Sequence, residues 1–212
     1  MKDRREAILS LLLRLRAMAL PHRLMSAFEA VPRQNFAPVM HLDDCYGNSQ
    51  LPIECGQTMT APDTIARILM ALDVQESHRV LEIGTGTGYQ TAIIARMADK
   101  ITSVERWHTL AEKARFRLAS LEVSNASVEL GDAANGMPGN LFDRIIANCA
   151  YPEPPRHFLD QLTAHGIAIA PVGPATGEQI LVKLTKVGSR FEAEELFKVR
   201  MQPFGEGVAR AI

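Results

Sequence analysis

"RVLEIGTGTGY", residues 79–89, reads as a short buried strand that runs into a glycine-rich turn and then a helix. Gly84, Gly86 and Gly88 remove side chains where a ligand must come close to the backbone. The N–H groups at the start of the following helix point to the same place. Working outward, Glu105 ends the next apolar strand, "KITSVE", twenty-one residues after Gly84. An acidic side chain there can accept hydrogen bonds from both hydroxyls of a ribose. Gly131-Asp132 ends a third strand, "ASVELGD". Three strand ends therefore meet on one crevice, the place where open α/β sheets bind ligands. The spacing does not suit a dinucleotide. Tyr89 stands where that fingerprint has its last Gly or Ala, and Glu82 adds negative charge near the place of a pyrophosphate. A ligand with an ammonium group suits Glu82 better.

The pattern around this motif predicts the fold. Helices at 89–98, 107–120 and 154–164 alternate with short apolar strands, including "FDRIIANC" and "GIAIAPV". That alternation predicts an α/β protein with a mostly parallel sheet, covered on both faces. "QILVKLTKV" and "FEAEELFKVRMQPF", divided by Gly188-Ser189-Arg190, predict an antiparallel hairpin at the end of the sheet. Upstream, helices at 3–18 and 22–31 are separated by Pro21, and a loop follows at 36–60. Loops of that length in compact domains are commonly functional. The loop ends at a helix that begins with Pro62, suited to a first helical position, and Asp63, suited to a first turn.

The chain has 212 residues, 47% of them hydrophobic, and a net charge of −1. This is globular composition, and the charge balance argues against a nucleic-acid backbone binder. Cys45, Cys55 and Cys149 have neither zinc-type spacing nor an even count, so reduced thiols are expected. The six histidines are scattered without ligand spacing, so no metal site is expected. "MKDRREAILSLLLRLRAMAL" imitates a secretory leader, but Arg14 and Arg16 interrupt its apolar run. Ile8, Leu12, Leu15 and Ala19 fall on one helical stripe, so an amphipathic helix is the expectation. No stretch is long and apolar enough to span a bilayer. The sequence therefore predicts a cytoplasmic protein with no membrane partner. Nothing in it signals an oligomer, and a monomer is expected.

The pattern E-x-G-x-G-x-G with an acidic next strand end is similar to that of S-adenosylmethionine-dependent methyltransferases. More specifically, "VPRQNF", "LPI" followed by "GQTMTAP", "VLEIGTGTGY", "ELGD", "FDRII", "QLTAHGIAIAPVG" and "EQIL", in that order, resemble the protein-L-isoaspartate O-methyltransferases. The resemblance runs from about residue 31 to 204. It implies a Rossmann-like methyltransferase sheet with added N-terminal helices: residues 1–60 as helices and active-site loop, packed on a core of residues 61–212 in one compact domain. The implied cofactor is S-adenosyl-L-methionine, and the implied partners are peptides or proteins carrying isoaspartyl residues, methylated on the carboxylate for repair.

The resemblance also implies roles for individual residues. Thr60 aligns with the family's active-site Ser. Gln57, Thr58 and Met59 would line the methyl end of the cofactor. Glu82, Gly84, Thr85 and Gly86 would hold its amino-acid portion, with Gly88 completing the turn. Glu105 would bind the ribose, and Asp132 with the Ala133 backbone would bind the adenine. The Thr60 hydroxyl has a second reading, as a cap of the helix entered at Pro62. The chain departs from the family on the acceptor side. Thr60 replaces Ser, Glu54 replaces Gly, and Asn48 and Gln50 stand where Asp and Pro are common. "NCAYP" replaces a run of small residues and brings Tyr151 to the pocket mouth, and "RMQPF" replaces a terminal "FVPL"-like strand. A Glu54 facing the pocket would repel a carboxylate substrate. Two other readings stay open: an N-methyltransferase for an amine or nucleobase, in which Asn148 accepts from the attacking nitrogen, and a non-catalytic cofactor-binding regulator acting through the tail "GEGVARAI".

Overall fold

The computed structural model describes residues 4–209. Two sequence expectations extend past it: Asp3 of the first helix and the last three residues of the "GEGVARAI" tail lie outside the described residues. Two helices open the chain, α1 (Arg4–Ala17) and α2 (His22–Ala30). The long loop is not shapeless. It carries 3-10 turns at Arg33–Asn35, Val39–His41 and Glu54–Gly56, and a two-residue antiparallel pair, β1 (Leu51–Pro52) with β2 (Thr58–Met59). Helix α3 (Pro62–Leu72) begins as the sequence predicts, with Pro62 at its first position and Asp63 in its first turn, and it ends at a left-handed Asp73.

The sheet is built from β3 (Arg79–Ile83), β4 (Lys100–Glu105), β5 (Ala126–Leu130), β6 (Phe142–Ala147), β7 (Leu162–Val172), β8 (Gln179–Val187) and β9 (Arg190–Val199), with α4 (Tyr89–Ala95) and α5 (His108–Ser120) in the crossovers. Its order is β5-β4-β3-β6-β7-β8-β9. The first five are parallel and the last two antiparallel, as the sequence predicts. The chain runs outward from β3 to β5 and returns on the other side of β3 at β6. The crevice at the carboxyl ends of β3 and β6 is therefore the topological switch point. The exposed outer strand β9 carries Glu192, Glu194 and Glu195, charges that discourage pairing with another edge.

Strand alternation sorts the core into two layers. Val80, Ile146 and Ile169 face a cluster to which all five α-helices contribute, including Leu15, Phe28, Ile65, Ile93 and Leu118. Leu81, Ile83, Ile145, Ala168 and Ala170 face the opposite cluster. That second face is covered differently from the sequence expectation. In place of a helix at 154–164 there is a 3-10 segment, Arg156–Gln161, and β7 already begins at Leu162. Phe158 and Tyr151 supply the cover.

Gly88 completes the glycine turn, its N–H donating to the Thr85 carbonyl at 3.0 Å, and it belongs to this packing as well. It is the N-cap of α4 at φ +86°, and a Cβ there would lie 3.3 Å from Cβ of Ala114 on α5 and 3.7 Å from the Phe36 ring. A side chain at this position meets both left-handed strain and a crowded helix contact. Gly88→Val should therefore lower stability by about 2–5 kcal/mol, read as a shifted urea midpoint with an unchanged slope. An unaltered midpoint would show that α4 and α5 can separate freely here.

Candidate active site

A cavity of about 330 Å³ opens at the carboxyl ends of β3, β4, β5 and β6. Its floor is the glycine turn, Gly84-Thr85-Gly86, with Gly84 at φ +88° and Gly86 at φ +56°. A Cβ on Gly84 would sit in van der Waals contact, 3.4 Å, with Cβ of Asn148 at the end of β6, and it is the positive φ that calls for glycine here. Glu105 forms the next wall. It is 4% exposed, and its oxygens accept from the N–H groups of Gly86 (2.8 Å) and Trp107 (3.0 Å). Burial raises its pKa while those backbone donors work the other way. Each oxygen keeps a lone pair for a ligand. Gly131 and Ala133 line the cavity beyond it.

The loop supplies the facing wall with Gln57, Thr58, Met59 and Thr60. Arg33, fully buried, holds this loop in place. Its Nε donates to the Cys45 carbonyl and Nη2 to the Thr60 carbonyl, both at 2.7 Å. Arg14 reaches the Tyr46 carbonyl (2.8 Å) and pairs with Asp63 (3.1 Å). The N-cap of α3 is Ala61 and has no side-chain cap, so the Thr60 hydroxyl is not engaged in capping.

The structure brings together nine of the twelve sequence-derived binding positions and leaves three outside the cavity wall: Glu82, Gly88 and Asp132. Glu82 lies behind the floor, where four side chains donate to it. Gly88 packs on α5, as described above. Asp132 is exposed, and its Oδ1 accepts from the Ala134 N–H at 2.9 Å, which closes a turn in its own loop. Two departures from the family pattern also fall elsewhere than expected. Tyr151 is buried and stacked on Phe204, ring centroids 4.9 Å apart, and it is Phe204 that lines the cavity. Glu54 does not face the cavity, so it cannot repel a substrate there. It bonds Lys113 of α5 at 2.5 Å and ties the loop to that helix.

Several lining residues lay outside the binding positions read from the sequence. Gln90 and Asn148, the latter given a role only in the N-methyltransferase reading, both bond Glu82, and Arg106 and Trp107 follow Glu105. Met201–Gly205 forms a roof that has no periodic signal because backbone contacts hold it, Phe204 N–H to the Ala150 carbonyl among them. Cys149 also lines the cavity, but burial pushes its thiol up to about 12, so it stays protonated and offers no nucleophile.

The family model described as protein-L-isoaspartate(D-aspartate) O-methyltransferase matches residues 4–209. A protein-L-isoaspartate O-methyltransferase of Bradyrhizobium sp. (strain ORS 278) is 46% identical over 189 residues, covering 89% of this chain and 88% of that protein. A solved protein-L-isoaspartate O-methyltransferase superposes with a TM-score of 0.84 at 23% identity, over 95% of this chain and 67% of the other. A Plasmodium falciparum chain described with the same activity, in complex with S-adenosyl-L-homocysteine, gives 0.78 at 21% identity, over 92% and 97%. The two structures show the same fold.

The Glu54–Lys113 pair makes a pH-dependent prediction. The Lys113 hydrogen bond, opposed by partial burial, lowers the Glu54 pKa from its ordinary 4.5. Its stabilisation is therefore complete above 4.5 and is lost as pH falls through the lowered value. Melting curves of wild type and Glu54→Gln should differ by a constant gap at neutral pH that closes in acid. A gap that stays undiminished to the most acid pH at which the protein remains folded would show that Glu54 does not act through its charge.

Proposed function

The chain belongs to the protein-L-isoaspartate(D-aspartate) O-methyltransferase family, and from that premise we propose how its residues divide the work of methylating isoaspartyl carboxylates in damaged proteins. The cofactor, S-adenosyl-L-methionine, supplies an activated methyl group when bound. The residues suit it. The floor of the cavity is backbone, with Gly84 and Gly86 at positive φ and no side chain between it and a ligand. Glu105 accepts from the ribose hydroxyls with the lone pairs that its two backbone donors leave free. The backbone of Gly131 and Ala133 would meet the adenine, with Trp107 beside it, and Asp132, whose Oδ1 closes its own turn, keeps Oδ2 to accept from the adenine amino group.

Thr60 positions the acceptor. An isoaspartyl carboxylate is already ionised at neutral pH, so no strong general base is required. The protein's task is alignment and exclusion of water, and well-aligned reacting pairs gain roughly 7–11 kcal/mol. The observation that carries this role is the uncapped Thr60 hydroxyl in the cavity wall, on a residue whose carbonyl is pinned by buried Arg33. Its extra methyl, relative to Ser, limits the rotamers of that hydroxyl. Among the described residues, no helix is long and apolar enough to cross a membrane.

Labelled methyl transfer to an isoaspartyl peptide and to its aspartyl twin tests the reading. Base-labile label should appear on the isoaspartyl peptide alone, and base-stable label would point instead to nitrogen as acceptor. Thr60→Val should lower kcat about tenfold or more, the worth of one hydrogen bond to a charged group, with cofactor affinity within about twofold. Unchanged turnover in Thr60→Val would remove the hydroxyl from the mechanism.

A further inference from the structure

Glu82 is fully buried one residue before the end of β3 and forms no part of the cavity surface. Four donors converge on it. Gln90 Nε2 (3.0 Å) and Asn148 Nδ2 (3.1 Å) meet Oε1, and the hydroxyls of Thr91 (2.5 Å) and Ser103 (2.8 Å) meet Oε2. Burial raises the Glu82 pKa, and each of these donors acts against that rise. Four donors on two oxygens suit an ionised carboxylate.

The amides themselves are locked. The second N–H of Asn148 goes to the Gly84 carbonyl (2.9 Å), and the second N–H of Gln90 goes to Asn148 Oδ1 (2.9 Å). Both N–H groups of each amide are thus engaged within the protein. Flipping Asn148 would set its oxygen against Glu82 Oε1 and the Gly84 carbonyl, acceptor against acceptor, so its orientation is determined. Asn148 and Gln90 both line the cavity beside Gly84. What they leave for a ligand is one lone pair on Asn148 Oδ1 and the oxygen Oε1 of Gln90. This part of the wall can only accept hydrogen bonds, and a buried anion directly behind it polarises both amides in the same sense. Such a surface repels a carboxylate and attracts a cationic donor.

We propose that Asn148 Oδ1 and Gln90 Oε1 directly receive the α-ammonium of the cofactor's amino-acid end, with Glu82 a positioning residue that acts through them. This rests on the reading of the cavity as the S-adenosylmethionine site. It moves the ammonium contact from Glu82, which the cavity does not reach, to a residue of "NCAYP", where the chain leaves the family pattern.

The test is calorimetric binding to the full chain of three probes: S-adenosylhomocysteine, its analogue lacking the α-amino group, and adenosine. Wild type should bind the amino compound at least about tenfold more tightly than the des-amino analogue, as a hydrogen bond to a charged group implies. Gln90→Met and Asn148→Ser should each reduce that ratio to about threefold or less, while adenosine affinity stays close to wild type. A ratio unchanged in both variants with adenosine binding intact overturns the proposal, and so does a wild type that does not distinguish the two nucleosides. If wild type binds adenosine and homocysteine nucleoside alike only marginally, or not at all, the cofactor reading fails and takes this proposal with it.

Discussion

A guanidinium sealed beneath the acceptor loop sets the geometry of this protein. Arg33 has no exposed surface, and among the described residues its hydrogen bonds go to neutral carbonyls, those of Cys45 and Thr60, while its Cζ lies 4.9 Å from the centroid of the Tyr89 ring. One side chain therefore joins the segment after α2, the start of the long loop, its end at the acceptor position, and the first residue of α4. Burial lowers the Arg33 pKa, but an arginine has pKa to spare and stays charged. Burying an ion is expensive unless dipoles replace its water. Here the carbonyls that replace it are those that must be held still, so the loop and the cation stabilise one another.

Glu82 mirrors Arg33 on the sheet side. It too is buried, and it is satisfied by amides and hydroxyls and not by an opposite charge. Solvation by dipoles has a different consequence from an ion pair. An ion pair cancels its own field, whereas dipoles that solvate a charge all point one way and carry its sign outward. The cavity lies between these two solvated charges, and each one orients the groups that form a wall. The Thr60 carbonyl is turned toward Arg33, and the Asn148 and Gln90 oxygens are turned away from Glu82. The polarity of the walls is thus fixed by residues that do not line the cavity.

The sequence made the glycine turn, Glu105 and the order of the strands legible because each is a local signal: a spacing, a periodicity, a strand end. The placement of Glu82 was also within reach. Alternation puts it on the face of Val80, toward α4, so its neighbours were bound to include Gln90 and Thr91. The turn that Asp132 closes with its Oδ1 was not read, although an Asp two residues before a free N–H commonly makes one. Pro154 and Pro155 read as a helix start, yet the chain enters β7 at Leu162 and leaves room only for a 3-10 segment. Glu54 was illegible for a different reason: its partner, Lys113, lies 59 residues away on α5, and no local pattern reports such a pairing.

The distribution of departures from the family follows from how each side of the cavity is made. The cofactor side is the ends of parallel strands. Gly84 N–H bonds the Val104 carbonyl and Asn148 N–H the Ile83 carbonyl, both at 2.8 Å, so the ladder itself sets the spacing and each residue there has little freedom. The acceptor side is a loop and a C-terminal roof joined through backbone acceptors: Gln50 Nε2 to the Arg200 carbonyl (2.7 Å), and Arg106 to the carbonyls of Glu206 (2.9 Å) and Gly207 (3.1 Å). A carbonyl is present whatever the side chain, so residues 200–207 can exchange side chains while the roof stays closed. The exception within the roof is Gly205, against which the Arg106 guanidinium packs where a side chain would stand. Asn148 falls on the boundary between the two regimes: its backbone belongs to the ladder, and its side chain is held by a buried charge, so a change of residue there alters what the cavity offers without moving the strand that carries it.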